Sequence, residues 1–226
     1  MIDVSNLKDA LETLGFVAHG DIHEKVFPEI GCSLKVDFHA KKLIYPNEIK
    51  GRERNNGFDK KENFVVFECV CRLLSKGYRP EHIELEKEWH LGHDPKGGRA
   101  DICVTDTSGN MLFIIECKTW GREYDKALNN TKSDGAQLFS YWQQEQSCKW
   151  LVLYASDLKG GCIVHKASTI DCSDDANIVL LSKKDKSIKL YRDANTASAK
   201  YEAWKETYGR QLHDDLIFSK DSVAYQ

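Results

Sequence analysis

Apolar residues along the chain recur at two spacings, one typical of helices and one typical of strands. Recurrence every three or four positions predicts helices over 3–14, 62–76 and 133–145. Alternating or continuous apolar runs predict strands over 33–38, 43–45, 82–89 and 150–154, with a further hairpin inside 97–118. Weaker patterns predict short strands over 162–164 and 178–181 and a closing helix over 196–208.

The order of the predicted elements indicates the fold class. From residue 62 onward it runs helix, three strands, helix, strand, which favours a mixed α/β sheet with helices packed against it. A polar stretch over 46–60 separates this part from the shorter elements before it. We therefore predict a small α+β appendage over 1–58, packed on a main domain over 59–226.

Composition and charge exclude several classes of protein. The 226 residues are 41% apolar and 30% charged, as in ordinary globular proteins. No apolar run reaches about 18 residues and no secretory signal is present, so we expect a cytoplasmic protein without membrane contact. The formal net charge of −3 means that any DNA contact must come from a local patch. The eight cysteines include no C-x-x-C pair, which favours buried free thiols.

The predicted hairpin carries the candidate chemistry. Pairing of its two strands brings Asp101 level with Glu116, and the two-residue spacing puts Glu116 and Lys118 on one face. Mg²⁺ needs only one or two carboxylates besides water, so Asp101 and Glu116, together with the main-chain carbonyl of Cys117, are the expected ligands. Lys118 is placed to act on an attacking water or on transition-state charge.

A known family shares these residues. The pattern Arg99-Ala100-Asp101-Ile102, then Glu116-Cys117-Lys118, then Gln137 to Tyr141 closely resembles the PD-(D/E)xK nuclease superfamily. It looks most like the nuclease module at the N-terminus of type I restriction-enzyme R subunits and related restriction proteins. The resemblance runs from about residue 62 to residue 157.

The resemblance implies a restriction-endonuclease-like core and a role for each matching residue. Asp101 and Glu116 would hold Mg²⁺ or Mn²⁺, and Lys118 would be the catalytic lysine. Gln137 and Tyr141, four apart on a helix, would position the site or contact the DNA backbone. The family's glutamate on the helix before the sheet is expected at Glu62, with Glu68 as the alternative.

One position and one segment depart from the family pattern, and one motif is missing. Ala100 replaces the usual proline before the first aspartate. The polar segment 120–132 is longer than in relatives and is predicted to form a loop over the site, where Arg122, Lys126 and Lys132 would meet phosphates. The sequence contains no G-x-x-x-x-G-K-[ST], so we expect no ATP site in this chain.

Two hypotheses about function follow. The first is a Mg²⁺-dependent endonuclease module of a restriction-modification system, acting on double-stranded DNA beside a translocase, methyltransferase or specificity subunit. The second is a catalytically weak nuclease-like fold that serves as a DNA- or protein-binding module. Retention of Asp101, Glu116 and Lys118 together favours the first, because a module that only binds has no need for all three.

Overall fold

A computed structural model describes residues 1–89, 98–172, 178 and 191–192, and within them it confirms a mixed α/β fold with two β-sheets and four α-helices. No helix in this part of the chain is long and apolar enough to cross a membrane. The helices are α1 Leu7–Thr13, α2 Lys61–Ser75, α3 Arg122–Asp134 and α4 Ala136–Gln144. The strands are β1 Val17–His19, β2 Ile22–Phe27, β3 Cys32–Asp37, β4 Lys42–Ile44, β5 Ile83–Glu88, β6 Arg99–Thr105, β7 Met111–Cys117, β8 Trp150–Lys159, β9 Cys162–Asp171 and β10 Tyr191–Arg192.

The first sheet is an antiparallel meander of β1 to β4. Alternation in β3 and β4 buries Leu34, Val36 and Leu43 completely and turns the polar residues between them outward. These side chains belong to one continuous apolar core with α1 and α2. The sequence patterns missed β1 and β2, whose residues are mostly exposed or half-buried and so carry little alternation.

The second sheet has the strand order β10-β9-β8-β7-β6-β5, and only its β7–β8 pair is parallel among the described strands. Helix α2 packs on one face of β7 and β8, and α3 and α4 pack on the other. Both faces of the central strands are therefore covered, which is why 111–117 and 150–154 read as continuous apolar runs.

The prediction of a loop over 120–132 is wrong. Residues Arg122–Asp134 form helix α3, with Glu123 and Asp125 in its first turn and Lys132 in its last. Its apolar stripe is narrow, since only Tyr124, Ala127 and Leu128 of this helix pack against the apolar cluster on that face of the sheet. The single helix predicted over 133–145 is shorter and begins at Ala136. Gly135, at φ 75°, ends α3 and starts α4 in the left-handed conformation that glycine adopts without steric cost.

The short strand predicted over 162–164 is also corrected, because β9 runs over ten residues, Cys162–Asp171. It pairs with β8 along its whole length, and the hairpin turns at Gly160 and Gly161, both with positive φ. Strand β8 is ten residues long and extends past the end of its neighbour β7. The strand predicted over 178–181, apart from Ile178, and the helix predicted over 196–208 lie outside the described residues.

A buried polar network joins α2 to the second sheet. Arg72 donates to Glu68 Oε1 at 3.0 Å and to the hydroxyl of Tyr154 at 2.9 Å, and that hydroxyl donates to Glu68 Oε2 at 2.7 Å. All three side chains are almost completely buried. Each charge depends on the others, because an isolated ion in the protein interior carries a large desolvation penalty.

We predict that Arg72→Met lowers the free energy of unfolding by about 3–5 kcal/mol, because it leaves the Glu68 carboxylate buried without its cation. Chemical denaturation with urea measures the change. The matched control is Arg54→Met, which breaks the surface ion pair with Glu88 at 2.7 Å and should cost less than about 1 kcal/mol. Equal losses for the two variants would show that the buried network contributes no special stability.

Candidate active site

Asp101 lies where β6 and β7 separate. Their pairing ends at Ile102 and Ile115, so Asp101 and Glu116 are the next residues in the same register. There the Asp101 side chain replaces a main-chain acceptor, since its Oδ2 accepts a hydrogen bond from the amide of Cys117 at 2.7 Å. The predicted placement of the two acidic residues at one end of the hairpin is thus found in the structure.

Glu116 is held by the helix that follows α3. Its Oε2 lies 2.8 Å from the hydroxyl of Tyr141, which also lies 2.6 Å from the carbonyl oxygen of Arg99. Gln137, one turn earlier on α4, donates from Nε2 to the same hydroxyl. Because a hydroxyl has a single hydrogen, Tyr141 donates to either Glu116 or Arg99 at any moment. Gln137 and Tyr141 are therefore connected to Glu116 in series: Gln137 contacts the Tyr141 hydroxyl, and that hydroxyl contacts Glu116.

Neighbouring residues hold the Tyr141 ring at one face and at its edge. Trp89 stacks on it with ring centroids 5.6 Å apart, and Gly98 approaches its edge so closely that a Cβ there would lie 2.9 Å from Tyr141 Cε1. Only glycine leaves this space for the ring at position 98. The residue before Arg99 therefore matters for the site, although it bears no functional group.

Lys118 connects two carboxylates. Its ammonium forms a close ion pair with Glu116 Oε1 and a second with Glu62 Oε1 at 3.2 Å. Glu62 reaches the site from the first turn of α2, whereas Glu68 is occupied in the buried network with Arg72. Of the two glutamates considered for the helix position, the structure brings Glu62 to the candidate site.

Negative charge accumulates around Asp101. Burial raises its pKa well above the ordinary value, and the nearby charges of Glu116 and Glu62 raise it further. Burial also raises the pKa of Glu116, although Lys118 and the Tyr141 hydroxyl oppose the shift. For Lys118, burial favours the neutral amine, but the carboxylates around it outweigh this effect and raise its pKa. Lys118 is therefore an ammonium ion at neutral pH.

An open cavity of about 310 Å³ adjoins Glu116 and Lys118. Helices α3 and α4 form its other walls, and Lys126 of α3 reaches it. Arg122, an exposed residue one turn before Lys126, is absent from its lining. Lys132 is exposed on the side of α3 turned away from the cavity. Of the three residues predicted to contact DNA in this segment, only Lys126 therefore lines the cavity.

The residues present fit a hard divalent cation. Within the described ranges, no group of three or more His, Cys, Asp or Glu side chains forms a metal cage. Mg²⁺ does not need one, because it keeps several waters and binds through one or two carboxylates. Burial and, to a lesser extent, neighbouring carboxylate charge raise the pKa values of Asp101 and Glu116, and a cation bound beside them would favour their charged forms. Cys117 offers only its carbonyl, since its thiol is buried in the core on the α2 side.

Sequence reasoning missed the contribution of α3 to this site. The missed signal lies in the residues themselves, because Tyr124 and Leu128 are one turn apart, acidic residues come first, and a glycine follows Asp134. The strongly polar composition of the segment outweighed that pattern. As a result, the wall formed by Lys126 and its neighbours was predicted as a loop.

Comparison with known proteins supports the relation inferred from the motifs. Residues 62–169 match the family described as type I restriction enzyme R protein N terminus. This part of the chain is therefore similar to the N-terminal module of a restriction enzyme, as the sequence motifs predicted. The match covers α2 through most of β9 and includes Glu62, Asp101, Glu116 and Lys118. No curated protein matches the chain.

We predict that Asp101→Asn stabilises the metal-free protein at about pH 8. The raised pKa means that the folded state holds this proton more tightly than the unfolded chain, whose aspartates titrate near pH 3.9. The contribution of this bound proton to folding stability is therefore fully present below about pH 3.9 and is lost as the pH rises through the folded-state pKa. Asparagine still accepts the Cys117 hydrogen bond but carries no charge, so the melting temperature in EDTA should rise by at least about 2 °C.

The gain from Asp101→Asn should largely vanish near pH 3, below the unfolded-state pKa of about 3.9, where the parent carboxyl group is mostly protonated in both states. Asp21→Asn, at an exposed turn of the first sheet, serves as the control and should leave the melting temperature unchanged at both pH values. A parent protein as stable as Asp101→Asn at pH 8 would contradict the inferred cost of placing a charged carboxylate at this position.

Proposed function

We propose that this chain is a Mg²⁺-dependent endonuclease module of the PD-(D/E)xK type, which cuts double-stranded DNA within a restriction-modification system. The observation that carries the proposal is the convergence of Asp101, Glu116 and Lys118 at one end of the β6–β7 hairpin. The succession of α2, β5, β6, β7 and β8, interrupted by α3 and α4, supports a restriction-endonuclease-like core. The match to a restriction-enzyme N-terminal family supports the biological context.

Each side chain has a distinct role in this proposal. Asp101 and Glu116, with the carbonyl of Cys117, would hold a Mg²⁺ or Mn²⁺ ion, which neutralises phosphate oxygens and lowers the pKa of a bound water. Lys118 is an ammonium ion rather than a base, so it stabilises negative charge that develops on the phosphate. Glu62 holds the lysine in place. Tyr141 and Gln137 fix the orientation of Glu116.

The proposal also concerns what acts with this chain. Because the sequence has no nucleotide-binding loop, movement along DNA would come from a translocase domain or subunit. Sequence choice and host protection would come from specificity and methyltransferase subunits. The module itself would cut DNA delivered to it in the cytoplasm.

The test is cleavage of supercoiled plasmid with Mg²⁺ by the parent protein, Asp101→Asn and Lys118→Met. We expect the parent to nick or linearise the plasmid and each variant to lose at least about 100-fold in rate, because each lacks a group that acts on the transition state. A second readout is independent of activity. Mg²⁺ should raise the melting temperature of the parent but not that of Asp101→Asn.

Matched controls for this assay are Asp21→Asn and Lys41→Met, which change the same residue types at exposed positions of the first sheet. Both should cut like the parent. Equal cleavage by the parent and Asp101→Asn would place the active site elsewhere. Binding of DNA without any cleavage by the parent would favour the alternative of a binding module.

We further predict that Tyr141→Phe lowers the cleavage rate by about 10- to 100-fold and raises the Mg²⁺ concentration needed for half-maximal rate, because Glu116 loses an orienting hydrogen bond. The control is Tyr124→Phe. This tyrosine is buried on the same face of the sheet but bonds to Ser168 rather than to Glu116. If both variants showed the parent's Mg²⁺ dependence, Tyr141 would have only a packing role.

A further inference from the structure

A cluster of two lysines and one tryptophan lies beside the candidate site on the β8–β9 hairpin. The ammonium of Lys159 lies 4.1 Å from the centroid of the Trp120 ring, and that of Lys166 lies 4.6 Å from it. The two cations are thus within about 9 Å of each other, although like charges repel at this distance. The motifs and the family resemblance assign no role to these residues.

The fold places this cluster next to the cutting site. Trp120 follows Lys118 by two residues, and Lys118 itself is bonded through its amide to the carbonyl of Tyr154 in β8 at 2.8 Å. Strand β8 continues five residues beyond that point to Lys159, a length of about 16 Å. Lys166 pairs with Ala155, one position past Tyr154, and lies two strands from β7, a lateral distance of about 10 Å.

The positive charge of the cluster is largely uncompensated. Lys159 forms no ion pair with any described residue, and the only acidic partner of Lys166 among them is Asp125, an exposed side chain 3.9 Å away. Both lysines are exposed to solvent. The rest of the chain carries an excess of acidic residues. A local group of cations on such a protein is a suitable place for an anion.

Trp120 gives the cluster a defined shape. Lysine side chains normally lose considerable rotamer entropy when they bind a ligand. Here the indole ring holds both ammonium groups by cation–π contacts before any ligand arrives. Because its ring is already occupied by the lysines, Trp120 is an anchor for them rather than a platform on which a base could stack.

We infer that Trp120, Lys159 and Lys166 form a second contact site for the sugar-phosphate backbone of DNA, flanking the scissile phosphate. The inference rests on the proposed nuclease function and adds a binding surface to it. Separations of about 10 to 16 Å correspond to about three to five base pairs of rise along the axis of a duplex. The hairpin would therefore hold the phosphates a few nucleotides from the bond that is cut.

The test measures binding of a short duplex DNA by fluorescence anisotropy, with Ca²⁺ in place of Mg²⁺ to prevent cleavage. We expect the double variant Lys159→Gln/Lys166→Gln to weaken affinity by about tenfold and to lower the slope of log K against log salt by about two, because two phosphate contacts are lost. Lys41→Gln/Lys42→Gln makes the same charge change at exposed positions of the first sheet, and it should change neither value.

Trp120→Leu separates the anchoring role from the charge itself. It keeps both lysines, so the salt slope should remain that of the parent, while affinity falls by about threefold because the lysines are no longer held in place. Asp125→Asn should tighten binding, since it frees Lys166 from its carboxylate. A melting temperature close to that of the parent shows that each variant is folded.

The outcomes distinguish this inference from the proposed function. If the parent cuts DNA and the double lysine variant binds with unchanged affinity and slope, the second contact site is refuted and the nuclease function stands. If the parent binds without cutting and the double variant loses affinity, the cluster stands as a contact for the DNA backbone, while the nuclease function and the position beside a scissile phosphate are refuted. A parent protein that does not bind duplex DNA refutes both.

Discussion

The desolvation of closely spaced carboxylates is the constraint on which the candidate site depends. Asp101, Glu116 and Glu62 converge at one end of the second sheet, with Lys118 as the cation directly bonded to two of them. Burial makes the largest contribution to the cost, because the charged forms lose hydration, and the charges of neighbouring carboxylates add to it. The arrangement costs stability in the absence of a further cation. Such a cost is common at functional sites, where chemistry rather than stability determines the choice of residues.

The surrounding structure supplies the rigidity that holds these charges together. Central strands β7 and β8 are covered on one face by α2 and on the other by α3 and α4, so their ends have little freedom to separate. The Glu68–Arg72–Tyr154 network fixes α2 against β8, and thereby fixes Glu62 at the start of the same helix. Tyr141 does the same for Glu116 from the opposite face.

Helix α3 and the β8–β9 hairpin place basic side chains beside the candidate site. The helix closes one side of the cavity and presents Lys126, and the hairpin carries Lys159 and Lys166 beyond the end of β7. Lys126, and the pair formed by Lys159 and Lys166, thus lie near the carboxylates of the candidate site. In the proposed function, these basic groups would offset the repulsion between a phosphate and the carboxylates.

The sequence by itself determined the fold class, the hairpin that brings Asp101 level with Glu116, and the shared face of Glu116 and Lys118, because strand alternation and a two-residue spacing are local properties of the chain. It did not predict α3, whose polar residues resemble a loop until the sheet provides a surface for Tyr124. It also left Glu62 and Glu68 as alternatives, since both lie on the same helix. Only tertiary packing separated them, by placing Glu68 beside Arg72 in the interior and Glu62 beside Lys118 at the sheet end. The cluster around Trp120 likewise depends on residues about 40 positions apart, and no local pattern records which distant side chains will meet.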